Sequence, residues 1–345
     1  MRKKCKVLKI YKKVGPNFLA LGPNCTLQDI QELGNVDAEL IEVGDTDKNE
    51  IMKAAKEADI ILIASAPIPR WIIEASPKCL AIVSPVVGYD NIDVNAATEN
   101  NIMVVNDPSS DWCNEEVSNH AITLLLACAK KLVMLNNLVK QGRWDDAKKA
   151  QKPMGSIYGQ TLGIIGCGTI ARMTARKAQC FGLNVIGYDP NIEKSLAKEN
   201  GITLVDLPEL LKESDYISAH PNLNPTSFHM IDEKTFKQMK PGAYFINTAR
   251  GNVVDEPALI KALQVKRLAG AGLDVFEKEP VDKDNPLLKM DNVIVLPHNG
   301  CYSDNAFEQA LKNVAIDVGR ILSGRWPKNV VNKAVKPKIK LVKDS

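Results

Sequence analysis

Residues 159–171 read Gly159-Gln-Thr-Leu-Gly-Ile-Ile-Gly166-Cys-Gly168-Thr-Ile-Ala171. A short apolar strand runs into G-x-G-x-x-A and from there into a helix-forming stretch. Gly166 permits the tight turn, Gly168 lets the backbone approach a pyrophosphate, and the small Ala171 lets helix and strand pack closely. A helix that starts at Thr169 and Ile170 aims its free N–H groups and the positive end of its dipole at the phosphates. A second strand, 184–188, ends at Asp189, 23 residues after Gly166 and near the spacing of about 20 that such a turn calls for. The Asp189 carboxylate would accept hydrogen bonds from the adenosine ribose and repel a 2′-phosphate. No arginine follows it closely, so the cofactor expected is NAD rather than NADP. Small residues also serve ordinary βαβ turns, but here strand, turn, helix, second strand and acid stand in the full order.

The same alternation extends in both directions. Strand candidates after the turn are 161–165, 184–188, 216–219, 244–247, 269–273 and 292–296; before it they are 5–11, 39–43, 59–64, 80–84 and 102–105. Helical candidates such as 47–57 and 69–75 separate the early ones. Short β-rich runs divided by helices predict parallel strands with crossover helices. A single long helix is expected over 114–140 and a last one over 303–322, ending near Gly324. The expected class is α/β, two doubly wound parallel-sheet domains. One is an NAD-binding Rossmann domain over 114–300, and the other is discontinuous, 1–113 with 301–345.

Composition excludes several classes. The chain has 345 residues, 45% hydrophobic and 25% charged, close to the soluble globular average. No run approaches the roughly 18 apolar residues of a membrane span. The basic start, MRKKCKVLKIYKK, lacks the apolar core of an export signal. Eight cysteines form no C-x-x-C pair and four histidines no HExxH pair, so reduced thiols and no metal site are expected, in a cytoplasmic protein. The net charge of +3 hides basic ends: residues 1–13 hold seven Lys/Arg and no acid, and residues 325–345 hold seven and one Asp. With no Arg/aromatic groove beside them, these read as solvated ends rather than a nucleic-acid surface.

Three polar residues stand at or just beyond the carboxyl ends of predicted parallel strands, where open α/β sheets collect ligands. Arg250 follows Ala-Tyr-Phe-Ile-Asn247-Thr248-Ala249, Glu279 lies past Leu273-Asp274-Val275, and His298 follows Val-Ile-Val-Leu-Pro297. Each alone has a bland reading: a capping ion pair, a turn residue, a satisfied buried imidazole. Together they form a chemistry. A guanidinium grips a carboxylate with two parallel hydrogen bonds. An imidazole backed by a carboxylate keeps its orientation and can deliver a proton near neutral pH. Beside a hydride donor, these parts suffice to reduce the carbonyl of a 2-oxo acid.

Asn247-Thr-Ala-Arg-Gly251, Leu273-Asp-Val-Phe-Glu-Lys-Glu-Pro280 and Pro297-His298 resemble the D-isomer-specific 2-hydroxyacid dehydrogenases. Val87-Gly-Tyr-Asp-Asn-Ile-Asp93, His220-Pro-Asn-Leu-Asn224, Tyr302-Ser303 and Asn329-Val-Val-Asn332 are most similar to the C-terminal-binding-protein-like branch. The resemblance spans about residues 50–332. It implies that Arg250 binds and polarises the substrate, Glu279 supports the imidazole, and His298, beside the cofactor, is the acid/base. It further implies that Asp274 holds the nicotinamide carboxamide, that Thr248 and the Pro221 backbone line the cofactor, and that the amides around Val87 and Gly88 cradle the substrate carboxylate. A flavodoxin-like substrate domain, a closing cleft and a homodimer built on the helix after Asn114 are implied as well.

The chain departs from the pattern in places. Ser84-Pro85-Val86 stands where relatives often carry Arg-x-Gly, and Ala64 supplies no cation in the preceding loop, which disfavours a phosphorylated or dicarboxylic substrate. His220-Pro221-Asn222 replaces the commoner His-x-Pro order, and Asn299 follows His298 where an apolar residue is usual. The alternative is a non-catalytic NAD(H)-sensing scaffold of the corepressor kind. Such a sensor needs only the cofactor loop, and the joint presence of Arg250, Glu279 and His298 argues against it. An amino-acid dehydrogenase would need a carboxylate/Lys pair at these strand ends, and none stands there.

Overall fold

Ile60-Ile61-Leu62-Ile63 is apolar at every position, and in the computed structural model all four side chains are fully buried. An all-apolar strand is what a parallel sheet covered on both faces demands. The structure describes residues 5–11, 37–63, 66–108 and 111–343. Ala64, Cys25 and five of the seven Lys/Arg of residues 1–13 lie outside them. The chain divides into two compact units, 1–113 with 302–345, and 114–301.

In the first unit, β1 (Cys5–Tyr11), β2 (Ala38–Gly44), β3 (Ile60–Ile63), β4 (Ala81–Val83) and β5 (Met103–Val105) form one parallel sheet in the order β2-β1-β3-β4-β5. This is the flavodoxin-type doubly wound order. The two-residue period of a strand sends Ile61 and Ile63 to one core and Ile60 and Leu62 to the other. The first core is closed by helices Lys48–Ala55, Arg70–Glu74 and Val94–Glu99. The second is closed by the last helix, Asp304–Leu322, through Leu311, Val314, Val318 and Ile321. Ser303 caps that helix by accepting from the Ala306 amide at 3.1 Å. Beyond it, Asn332 binds both the Val104 amide (2.8 Å) and the Ile102 carbonyl (2.9 Å), covering the outer edge of β5.

The second unit holds seven parallel strands: β6 (Thr161–Ile165), β7 (Asn184–Tyr188), β8 (Thr203–Leu204), β9 (Tyr216–Ala219), β10 (Ala243–Asn247), β11 (Leu268–Leu273) and β12 (Val293–Val295). Their order is β12-β11-β10-β9-β6-β7-β8. The order reverses between β6 and β9, and the carboxyl ends there form the topological switch point where such sheets bind ligands. The strands expected at 5–11, 161–165, 184–188 and 216–219 have those bounds in the structure. The two residues of β8 are too short to leave a pattern.

The single helix expected over 114–140 is two helices, Asp111–Ala129 and Leu132–Lys140, bent by 60°. Lys131 takes the left-handed conformation (φ 52°), which ends the first helix, and its Nζ donates to the Ala150 carbonyl at 3.0 Å. The break is thereby tied to the helix Trp144–Ala150. Apolar periodicity runs through both pieces, so it could not reveal a backbone reversal at a lysine. No single helix among the described residues is long and apolar enough to cross a membrane.

Candidate active site

The glycine turn follows β6. Gly166 has φ +83°, and a Cβ there would lie 2.9 Å from the Pro221 nitrogen and 3.0 Å from the His220 carbonyl carbon. Only glycine fits. His220 is itself half-buried: its Nε2 meets the Ser218 hydroxyl at 2.9 Å, and desolvation of the ring pushes its pKa down to about 4. It is therefore a neutral strut behind the turn, not a proton carrier at pH 7. Gly168 caps the helix Thr169–Cys180, and a Cβ on it would meet nothing within 4 Å. Open space thus faces the free N–H groups of the first helical turn, at Thr169 and Ile170. Ala171 is fully buried against the sheet. The residues present fit a dinucleotide: an open helix N-terminus, a turn of two glycines around a buried Cys167, and an acid at the end of β7.

That acid does more than the sequence suggests. Asp189 accepts from the Cys167 amide through one oxygen and from the Asn191 amide through the other, both at 2.8 Å. Each carboxylate oxygen has a second lone pair left for a ribose hydroxyl. The Cys167 thiol is pushed up to about 12 by burial first and by Asp189 second, so it is no nucleophile at neutral pH. Sequence reasoning missed Arg172, whose guanidinium reaches back from the first turns of the helix to the Cys167 carbonyl (3.1 Å) and sets a positive charge against the turn. An arginine three residues after Thr169 was the available signal. Replacing Gly166 with alanine is expected to weaken NADH binding by about tenfold or more, because the new methyl meets backbone and the φ is left-handed. A fluorescence titration with NADH checks this, and an affinity equal to that of the unmodified protein contradicts it.

Arg250, Glu279 and His298 follow β10, β11 and β12, which are neighbours in the sheet. Asn247, at the end of β10, folds the Arg250 turn: its Oδ1 accepts from the Ala249 amide and its Nδ2 donates to the Arg250 carbonyl, both at 3.0 Å. The Arg250 Nη1 donates to the Ala249 carbonyl at 2.8 Å. Gly251 lies so tightly on the Phe276 carbonyl that a Cβ would fall 1.9 Å from it. The turns carrying Arg250 and Glu279 are therefore in backbone contact. Glu279 Oε1 accepts from the Phe276 amide at 3.0 Å, and Oε2 meets Nδ1 of His298 at 2.7 Å. With one oxygen anchored, the other fixes the imidazole. Thr248 is only 8% exposed, and its hydroxyl has no partner.

Asp274, at the end of β11, is buried and accepts from the amides of Asn299 (2.9 Å) and Gly300 (2.8 Å). Both oxygens are thus engaged with the loop that carries His298. His298 itself has φ 58°, a left-handed conformation that non-glycine residues adopt at a cost of roughly 1–3 kcal/mol and keep where surroundings enforce it. Asn299 Oδ1 is buried without a partner, and nothing in the structure explains the amide at that position.

In the first unit, β4 leads into the turn that carries Val87 and Gly88. Asn106, after β5, donates to the Val87 carbonyl at 2.6 Å, and Asn329 donates to Asn106 Oδ1 at 2.5 Å. The Ser84 hydroxyl, at the end of β4, is buried without a partner.

Residues 122–300 match the model of the D-isomer specific 2-hydroxyacid dehydrogenase NAD binding domain. A D-3-phosphoglycerate dehydrogenase of Methanocaldococcus jannaschii is 40% identical over 91% of this chain, which spans 58% of that relative's length. A glyoxylate reductase of Korarchaeum cryptofilum is 39% identical over 84% of this chain and 87% of its own. The crystal structure of D-lactate dehydrogenase from Aquifex aeolicus, complexed with NAD and lactic acid, is similar with a TM-score of 0.82 and 30% identity, covering 94% of this chain and 99% of that one. The chain is a member of the D-isomer-specific 2-hydroxyacid dehydrogenase family, an oxidoreductase family with NAD as cofactor.

Proposed function

We propose that the protein interconverts a (2R)-hydroxy acid and its 2-oxo acid. The observation that carries this reading is the Glu279–His298 contact of 2.7 Å, at the edge of the sheet where the Arg250 turn packs. NAD, when bound, supplies or accepts the hydride at C2. Arg250 binds the carboxylate and the carbonyl oxygen, and withdraws electron density from C2. His298, held through Nδ1 by Glu279, gives a proton from Nε2 to the alkoxide oxygen in reduction and takes it back in oxidation. The amides of Val87 and Gly88 bind the substrate carboxylate, and the Asn106 contact to Val87 supports them by holding that turn in shape. Gly166, Gly168, Thr169, Ile170, Pro221 and Thr248 line the cofactor.

Asp189 selects NAD. Asp189→Ala is expected to weaken NADH binding about tenfold and to narrow the preference over NADPH, because the lost carboxylate is both a ribose acceptor and the repulsion against a 2′-phosphate. An unmodified protein that binds NADPH as tightly as NADH contradicts this assignment.

The substrate proposed is a small 2-oxo acid without a second anionic group. Serine at position 84 and an apolar turn at 85–87 support this, since a phosphate would need a further cation. A second copy of the chain is the proposed partner. The helix Leu132–Lys140 has no buried residue, and Leu132, Val133 and Val139 are exposed together with Trp144 beyond it. The absence of any C-x-x-C spacing among the eight cysteines supports a reducing compartment, and the cytoplasm is the one proposed. The test of the whole reading is NADH oxidation against a panel of 2-oxo acids graded in size and charge. Turnover of small uncharged members is expected, and binding of NADH without turnover of any member contradicts the reading.

A further inference from the structure

His120 takes no part in the chemistry above, yet it stands directly behind the loop that presents His298. It projects from the helix Asp111–Ala129, its side chain is 16% exposed, and its Nε2 lies 3.3 Å from Asp274 Oδ1. That nitrogen is buried and lacks hydrogen-bond geometry to any partner. We propose that His120 is a positioning residue for His298, holding the Asp274 carboxylate turned toward the amides of Asn299 and Gly300.

Three observations converge on this. His298 has a left-handed backbone, a conformation that persists only where neighbours impose it. The imposing contacts are two charge-assisted hydrogen bonds to one carboxylate, at 2.9 and 2.8 Å from the residues immediately after His298. That carboxylate is buried, 1% exposed, so it needs a polar surface on its remaining side. His120 provides that surface. Gly300 completes the fit: a Cβ there would lie 2.8 Å from Asp274 Oδ2 and 3.3 Å from the His120 ring, wedging loop, carboxylate and imidazole apart. An apolar side chain of equal volume at position 120 would fill the same space and leave Asp274 Oδ1 facing hydrocarbon. Its carboxylate would then rotate, releasing one loop amide and with it the orientation of the His298 ring against Glu279.

This inference rests on His298 as the acid/base. The experiment compares His120→Phe, which keeps the bulk, with His120→Gln, which restores a nitrogen at similar reach. Steady-state rates with the best 2-oxo acid of the panel are read beside NADH affinity by fluorescence titration and the melting temperature. For His120→Phe, kcat is expected to fall about tenfold or more, while KM for the 2-oxo acid and the NADH Kd stay within about twofold. His120→Gln is expected to recover at least half of the lost kcat. If the Phe variant does not fold, His120→Asn takes its place, since its amide falls short of Asp274 Oδ1 and should show the same loss. Full kcat in the Phe (or Asn) variant overturns the proposal. So does an equal loss in the Gln variant, which would assign His120 to packing, or a loss carried by NADH affinity, which would assign it to the cofactor. An unmodified protein without turnover fells the acid/base reading and this proposal together. That outcome is distinct from failure of this proposal alone, in which the unmodified protein and the Phe variant turn over alike.

Discussion

Replacing His298 with alanine is expected to lower kcat for 2-oxo acid reduction by about 10²–10⁴-fold while leaving NADH binding within about twofold. Nδ1 of His298 is hydrogen-bonded to Glu279 Oε2. Glu279 is held by the Phe276 amide, so the imidazole is fixed before substrate arrives, and reorganisation during the reaction is small. Alanine removes the proposed proton donor, while the turn that holds the dinucleotide lies apart from it, at β6 and β7. The loss should therefore fall on kcat rather than on cofactor affinity. Glutamine at 298 should not restore the rate, because an amide has no proton to give at neutral pH. Steady-state kinetics with NADH titration decides the matter, and an alanine variant at the unmodified rate removes His298 from the chemistry.

The second large effect is expected at Arg250. Arg250→Lys keeps the charge and loses the planar pair of donors, and about 2–4 kcal/mol of transition-state binding should go with it, roughly 30- to 1000-fold in kcat/KM. The turn itself should survive, because the Asn247 hydrogen bonds and the tight Gly251 packing remain when the guanidinium bond to the Ala249 carbonyl is lost. A rise in KM together with a fall in kcat would assign Arg250 to both the carboxylate and the carbonyl oxygen. A Lys variant with unchanged kcat/KM would show that the anchor lies elsewhere.

Much of this was legible in the residues. The strands at 161–165 and 184–188 could be read because a short, mostly apolar run leading into glycine or aspartate has few other uses in an α/β chain. That Arg250, Glu279 and His298 stand at the ends of neighbouring strands was legible, because parallel strands bring such ends to one edge whatever their separation in sequence. What escaped reading depends on backbone conformation and on contacts across the fold. The reversal at Lys131 leaves the apolar period intact. The left-handed φ of His298 has no residue signature, since the usual marker is glycine. Asp274 was visible as an acid at a strand end, but its hold on the Asn299 and Gly300 amides required the loop geometry. His120 sits more than 150 residues from Asp274 in the chain, beyond any spacing rule.

The central claim is that guanidinium, carboxylate-backed imidazole and nicotinamide act on one small 2-oxo acid. Its most direct test is to supply NADH carrying deuterium at the transferable C4 position together with hydroxypyruvate, and to recover the hydroxy acid for chiral analysis and mass spectrometry. The account predicts a single (2R) product with deuterium at C2. A (2S) or racemic product, or a product without the label, would contradict it.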